Sequence, residues 1–135
     1  MNATPALQAR SLSIRRGARV TLHALDLSVP RGSVYALLGG NGAGKTTTLN
    51  ALLGFVPAAS GQALVDGIDA TRQPQLARAR LAYLPENVAL YPYLSGAENL
   101  RYFCQLSEIA LGDAQARALL AGAGLAAAAH DRRVA

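Results

Sequence analysis

At 135 residues, 14.0 kDa and 51% apolar residues, the chain is long enough for one domain with a real core and too apolar to be disordered. Its net charge of +5 and pI near 10.0 raise the question of a polyanionic partner, but the arginines run from Arg10 to Arg133 without an aromatic-interleaved cluster, so no nucleic acid is expected and the charge reads as a solvated surface. No apolar run reaches the length of a membrane span, and the opening MNATPALQAR lacks the basic-then-apolar layout of a signal peptide, so the expected location is cytoplasmic.

Leu7 to Arg16 and Arg19 to Val29 read as two β segments around a turn at Gly17, with Leu22, Leu25, Leu27 and Val29 as apolar teeth at near-alternating positions. Pro30, Arg31 and Gly32 turn the chain into Val34 to Leu38, where Val34, Ala36, Leu37 and Leu38 predict a strand buried on both faces. Gly39 to Thr46 then fits G-x-x-x-x-G-K-[ST]. Backbone N–H groups can approach a phosphate only where side chains do not intervene. Gly39, Gly40, Gly42 and Gly44 clear that space, and Asn41 and Ala43 complete the cradle. A helix opening near Gly44 aims its unpaired N–H groups and the positive end of its dipole into the turn. Lys45, the only lysine of the chain, is a compact charge able to reach β- and γ-phosphates. Thr46 would place its hydroxyl on Mg²⁺, Thr47 would donate to a phosphate oxygen, and Thr48 to Leu53 continue the helix.

Gly61 to Asp69 reads as a short strand ending in an Asp-Gly hairpin turn, so Asp66 is a turn residue and not a metal-holding carboxylate. Pro74 to Arg80 predicts a short basic helix and Leu81 to Leu84 a short strand that ends at Pro85. Tyr91, Pro92, Tyr93 and Leu94 form an aromatic loop cluster suited to a protein contact, with burial inside this chain as the competing explanation. Ser95 to Glu98 is a capping box, opening a helix with Leu100, Phe103 and Cys104 on one packed face. Cys104, the single cysteine, excludes an internal disulfide and reads as a small buried hydrophobe. Asp113 caps a further helix through Leu119 and Leu120, stopped by Gly122 or Gly124; Ala126 to Ala129 carries little signal, and His130 reads as solvated.

The run LSIRRGARVTLHALDLSVPRGSVYALLGGNGAGKTTTLNALLGFVPAASGQALVDGIDA resembles the start of an ATP-binding cassette (ABC) transporter ATPase, and LAYLPENVALYPYLSGAENLRYF resembles that family's Q-loop region. The resemblance implies an α/β P-loop NTPase fold. Residues 1–135 would form the N-terminal part of one nucleotide-binding domain, an antiparallel β subdomain plus an incomplete parallel core sheet, with Walker A at 39–46 and the Q-loop region at 81–94. It implies ATP and Mg²⁺ as ligands, a transmembrane permease subunit docked on residues 87–103, a second ATPase subunit closing head to tail, and a place on the inner face of the cell membrane.

Three positions depart from the family pattern. Arg16 stands where an aromatic residue usually stacks on adenine; a guanidinium plane can also stack, and a surface arginine in a β turn is the alternative. Gly40 stands where proline is commoner, which adds backbone freedom without removing a phosphate ligand. Glu86 replaces glutamine as the Mg²⁺ and γ-phosphate sensor, able to accept but not to donate. The LPE form of that segment resembles exporter-type ATPases. GLAAAAHDRRV resembles the stretch ahead of the signature motif, so the signature, Walker B and switch histidine are expected to be absent, and the chain alone is expected to hydrolyse ATP negligibly. A GTPase is excluded because Asn-Lys-x-Asp needs a second lysine. A kinase, a non-catalytic nucleotide-binding fragment and a soluble non-transport ABC ATPase remain as alternatives.

Overall fold

The computed structural model describes residues 4–134, and the chain divides after Tyr83 into two compact units. The first unit is built on an antiparallel sheet of order β2-β1-β3-β4, with β1 at Leu7–Arg16, β2 at Arg19–Val29, β3 at Ser60–Val65 and β4 at Ile68–Asp69. The β1–β2 hairpin closes on Gly17, whose φ of 59° is the left-handed conformation glycine adopts at least cost. Its register shifts three times, and two of the shifts fall at Ser11 and Ala24, which take positive φ values of 43° and 40°. Side chains satisfy the freed donors: Ser11 N–H donates to Asp26 Oδ1 at 2.8 Å and Ala24 N–H to Ser13 Oγ at 2.9 Å. The β3–β4 hairpin has the predicted Asp-Gly turn. Asp66 and Gly67 have φ of 50° and 80° between the paired Val65 and Ile68, and the Asp66 carboxylate is spent on Arg31 at 2.8 Å.

Leu12, Ile14, Leu22 and Val65 supply the sheet's inner face, onto which α1, Lys45–Leu52, lays Ala51 and Leu52. Burying each of the large aliphatic side chains is worth about 1.5–3 kcal/mol, which makes this the main stabilising contact of α1. The short α2, Pro74–Arg78, buries Ala77 in the same core. Arg78 reaches back to donate to Leu53 O at 3.2 Å, satisfying a carbonyl just past the end of α1.

Two predicted strands do not form. Residues 34–38 carry no ladder, and Val34 and Leu38 are almost wholly exposed. Tyr35, half exposed, and Leu37 line a cavity of about 270 Å³ together with Leu7, Leu27 and Leu52. Residues 81–84 are likewise irregular, with Tyr83 and Leu84 exposed. The reason is common to both: a parallel strand exists only by exchanging hydrogen bonds with neighbours, and no described strand lies beside either segment. Every strand pairing among the described residues is therefore antiparallel.

The second unit is helical, with α3 at Gly96–Leu106, α4 at Asp113–Gly122 and α5 at Ala127–His130. Ser95 and Glu98 form the predicted capping box. Helix α4 is capped one residue earlier than expected: Gly112 is the N-cap and its N–H donates to Gln115 Oε1 at 3.0 Å, which leaves Asp113 free to pair with Arg117 at 2.8 Å. It ends as a Schellman motif, Gly124 (φ 87°) donating to Ala121 O and Leu125 to Leu120 O, each at 2.9 Å. The buried groups here are small or polar, namely Ser95, Ala97, Asn99, Ala116 and His130. The expected packed face of α3 is not a core: Phe103 is exposed and stacks with Tyr91 and Tyr102, and Cys104 is only half-buried. His130 is buried rather than solvated, because its Nε2 lies 2.9 Å from Leu125 O and ties α5 to the turn after α4.

Candidate functional site

The glycine-rich turn of the first unit has the geometry that its spacing predicts. Gly42 and Gly44 take φ of 83° and 89°, which reverses the chain and starts α1 directly at Lys45. The first helical bond is Thr48 N–H to Gly44 O at 2.8 Å, and no side chain caps the helix. The N–H groups of Lys45, Thr46 and Thr47 thus have no acceptor within α1, and they converge with its dipole at the turn. An uncapped N-terminus on a helix that buries Thr48, Ala51 and Leu52 is a rigid donor set for an anion.

Lys45 Nζ bonds Gly39 O at 2.5 Å and Gly40 O at 2.9 Å, bridging the two limbs of the turn. An ammonium parked on backbone carbonyls keeps the loop open and gives up little when an oxyanion replaces them, since charge-assisted bonds to an anion are the stronger ones. Ala43 N–H donates to Gly40 O at 3.2 Å and closes the turn between these limbs. Thr46 is exposed, whereas the Thr48 hydroxyl is spent on Gly44 O at 2.9 Å. Three threonines in a row therefore divide their labour: Thr48 anchors the helix and Thr46 remains open to a ligand.

The glycines are not equivalent. A Cβ on Gly44 would lie 2.9 Å from Leu22 Cδ1, so this backbone packs directly on β2; one on Gly39 would lie 3.0 Å from Ala43 Cβ. Gly40 has open space around it and an ordinary φ, consistent with a position that accepts a side chain.

Arg16 closes β1 opposite Arg19, at the exposed tip of the hairpin. It makes no ion pair or side-chain hydrogen bond among the described residues. Glu86 belongs to the second unit, in an exposed bend, and it too lacks an ion pair among the described residues. No described cluster of His, Cys, Asp and Glu could hold a metal by itself, so a divalent ion at Thr46 would take most of its oxygens from water and phosphate, as Mg²⁺ sites commonly do.

In the second unit the Tyr91–Leu94 loop is more ordered than its sequence suggests. Tyr91 meets Tyr102 edge to face at 4.8 Å, and the hydroxyl contact between them at 3.4 Å raises the Tyr102 pKa. Tyr93, by contrast, is 81% exposed. Asn99, which belongs to no sequence motif, is 2% exposed and bonds the backbone of Tyr91, Leu94 and Ser95. Its one signal in the sequence is a poor helix former inside an otherwise helix-favouring run. Arg117 likewise escapes sequence reasoning; it holds Asp131 in a bidentate pair at 2.7 Å and lowers that carboxyl's pKa.

Residues 22–134 match the family model described as "ABC transporter". The chain is 33% identical over 128 residues to the linearmycin resistance ATP-binding protein of Bacillus subtilis, covering 93% of this chain and 41% of that protein. It is 39% identical over 112 residues to a daunorubicin resistance ATP-binding protein of Streptomyces coeruleorubidus, covering 83% of this chain and 34% of that one. A solved structure titled as the ATP binding subunit of an ABC transporter superposes with a TM-score of 0.66 at 33% identity, covering 74% of this chain and 42% of the other. The chain thus spans about two fifths or less of the length of these proteins. With a glycine-rich turn seated on an antiparallel sheet and a family match across most of its residues, the chain belongs to the ABC transporter family of ATP-binding proteins.

Proposed function

We propose that Gly39 to Thr47 bind the phosphates of Mg·ATP, and that the chain serves as part of an exporter-type ABC ATPase subunit that couples hydrolysis to transport. The observation that carries this reading is the combination of the left-handed Gly42 and Gly44, the uncapped start of α1 and the Lys45 ammonium at the same turn. Backbone N–H groups from the turn and α1 would surround the β-phosphate, Lys45 would move from the Gly39 and Gly40 carbonyls to the phosphate oxygens, and Thr46 would ligate Mg²⁺. The metal's chemistry is to neutralise charge developing on the triphosphate. Arg16 would stack on the adenine.

No described residue on the first unit's loop is a carboxylate placed to orient water, so this chain by itself is proposed to bind nucleotide without appreciable turnover. Residues 87–103 would face a transmembrane permease, since Val88, Tyr93 and Phe103 are exposed apolar groups on one continuous stretch. A second ATPase subunit would complete the head-to-tail dimer, at the cytoplasmic face of the membrane. That two of the relatives are named as resistance ATP-binding proteins supports the export direction.

Calorimetric titration of the folded chain with Mg·ATP tests the site. The expected result is saturable one-site binding that weakens about tenfold to a hundredfold in Lys45→Ala, the range for a lost hydrogen bond to a charged group. A folded sample without saturable heat, or Lys45→Ala binding as wild type, refutes it. Arg16→Ala should weaken ATP but not inorganic triphosphate.

A further inference from the structure

The Tyr91–Leu94 turn and the segment at Arg133–Val134 lie 39 or more residues apart in sequence, yet they meet at one backbone carbonyl, Leu94 O, which the buried Asn99 side chain also contacts. Tyr91 O accepts from Leu94 N–H at 3.1 Å, with Pro92 at the second position that favours such a turn. Asn99 clamps this turn at both ends. Its Oδ1 accepts from Tyr91 N–H at 2.8 Å, and its Nδ2 donates among Tyr91 O at 3.1 Å, Leu94 O at 3.2 Å and Ser95 O at 3.0 Å. The Leu94 carbonyl also accepts from Val134 N–H at 3.3 Å, beside an antiparallel bridge between Ser95 and Arg133. Leu94 O therefore lies within hydrogen-bond distance of both Asn99 Nδ2 and Val134 N–H.

We infer that Asn99 is a positioning residue that makes the Tyr91–Leu94 turn and the Arg133–Val134 segment one mechanical element, so that displacement of the exposed Tyr93 by a docked partner is delivered to residue 134. The inference rests on the proposed docking of a permease at residues 87–103 for its functional half, and on this unit's geometry alone for its structural half. Asparagine is required because the site needs one acceptor and at least two donated hydrogens in one planar group. Aspartate has the same shape, but it would aim a carboxylate oxygen at three carbonyl oxygens. Glutamine would place the amide one methylene too far from a helix backbone that is fixed by the Ser95–Glu98 box.

The first test needs no substitution. Native-state amide exchange on the full chain should show the Tyr91 and Val134 amides opening together, with the same opening constant and the same denaturant slope. Different constants overturn the coupling. In Asn99→Asp both protection factors should fall by the same factor, at least about tenfold, which is the loss of roughly 1.4 kcal/mol of hydrogen bonding, while the Ala116 amide on α4 keeps its protection. Loss at Tyr91 with Val134 unchanged overturns the inference, and so does uniform loss through α3 and α4, which marks a merely structural role.

The functional arm measures ATP turnover of the full-length subunit with and without its permease. Asn99→Asp should reduce the permease-stimulated to basal ratio toward one with KM for ATP unchanged. A retained ratio in a variant whose two amides have loosened overturns delivery to residue 134. If the permease fails to stimulate even the wild type, the docking reading falls, and the exchange comparison still decides the coupling.

Discussion

The four glycines of the proposed phosphate loop look interchangeable in sequence, and the structure ranks them. Gly44 combines φ of 89° with a Cβ position 2.9 Å from Leu22 Cδ1, and Leu22 is itself buried at 8% exposure and cannot retreat into solvent. Alanine there meets the left-handed cost of about 1–2 kcal/mol together with an overpacking cost of about 1–3 kcal/mol. Gly42 has the same backbone requirement at φ 83° but open surroundings, so Gly42→Ala should cost only the first of these, about 1–2 kcal/mol. Gly39 needs Ala43 to yield by a few tenths of an ångström, since its Cβ would stand 3.0 Å away. Gly40→Ala has neither problem, and it should stabilise by about 0.4–1 kcal/mol by restricting the unfolded chain. The assay is urea unfolding of the four alanine variants, read as midpoint shifts at constant slope, with Mg·ATP affinity measured on those that remain folded. The expected order of damage is Gly44, Gly42, Gly39, Gly40. Should Gly40→Ala lose as much as Gly44→Ala, or Gly44→Ala unfold at the wild-type midpoint, the loop does not have the backbone described here.

Three further outcomes follow from other parts of the chain. Gly61→Ala should prevent β3 from pairing with β1, because its Cβ would fall 2.3 Å from the carbonyl oxygens of both Arg10 and Ser11; the loss is read as a collapse of sheet circular dichroism. The Glu98 carboxyl is held below its ordinary pKa chiefly by the Ser95 N–H, then by the Ser95 hydroxyl, with Arg133 and Arg101 adding to it. A folded-state value below the unfolded one gives stability that is present above the usual range of about 4.3. That contribution is lost as pH falls through the lower folded value, so the Ser95 amide signal should titrate there, and Glu98→Gln should make it flat. Leu38→Asp should leave the unfolding midpoint unchanged because that side chain is 88% exposed, whereas Leu52→Ala, at 3% exposed, should cost about 2–5 kcal/mol; equal effects would contradict the placement of the core.

What the sequence disclosed well was what short-range chemistry decides. The ends of β1 and β2, the Asp66-Gly67 turn and the Ser95–Glu98 box all depend on residues within a few positions of one another, and each formed as expected. The glycine octet belongs to the same class, because backbone conformation and helix start are local properties. The apolar runs at 34–38 and 81–84 announce a demand for burial, but period and composition do not say whether a partner strand is at hand, and here none is described. His130 and Asn99 are illegible for a different reason: their value lies in carbonyls left over by turns, Leu125 O in one case and Leu94 O in the other, and no hydropathy pattern records a spare acceptor.

The exposure of Val34 and Leu38 bears on how the proposed nucleotide site is held. A strand leading into a phosphate loop is usually credited with fixing the loop, yet in this structure that strand is unformed while the turn keeps its left-handed glycines, its Lys45 bridge and its helix start. The restraint comes from the other side. Helix α1 is pinned by Ala51 and Leu52 in the sheet's core, its first turn is tied by Thr48 to Gly44, and Gly44 rests on Leu22 of β2. The loop is thus carried by the antiparallel sheet through α1, and the apolar arm in front of it is free to seek neighbours without disturbing the donors. On that logic, ordering of the core sheet and preorganisation of the phosphate donors are separable steps. Burial of Val34 and Leu38 by further strands would add stability to the unit, but it would change the geometry offered to an anion very little.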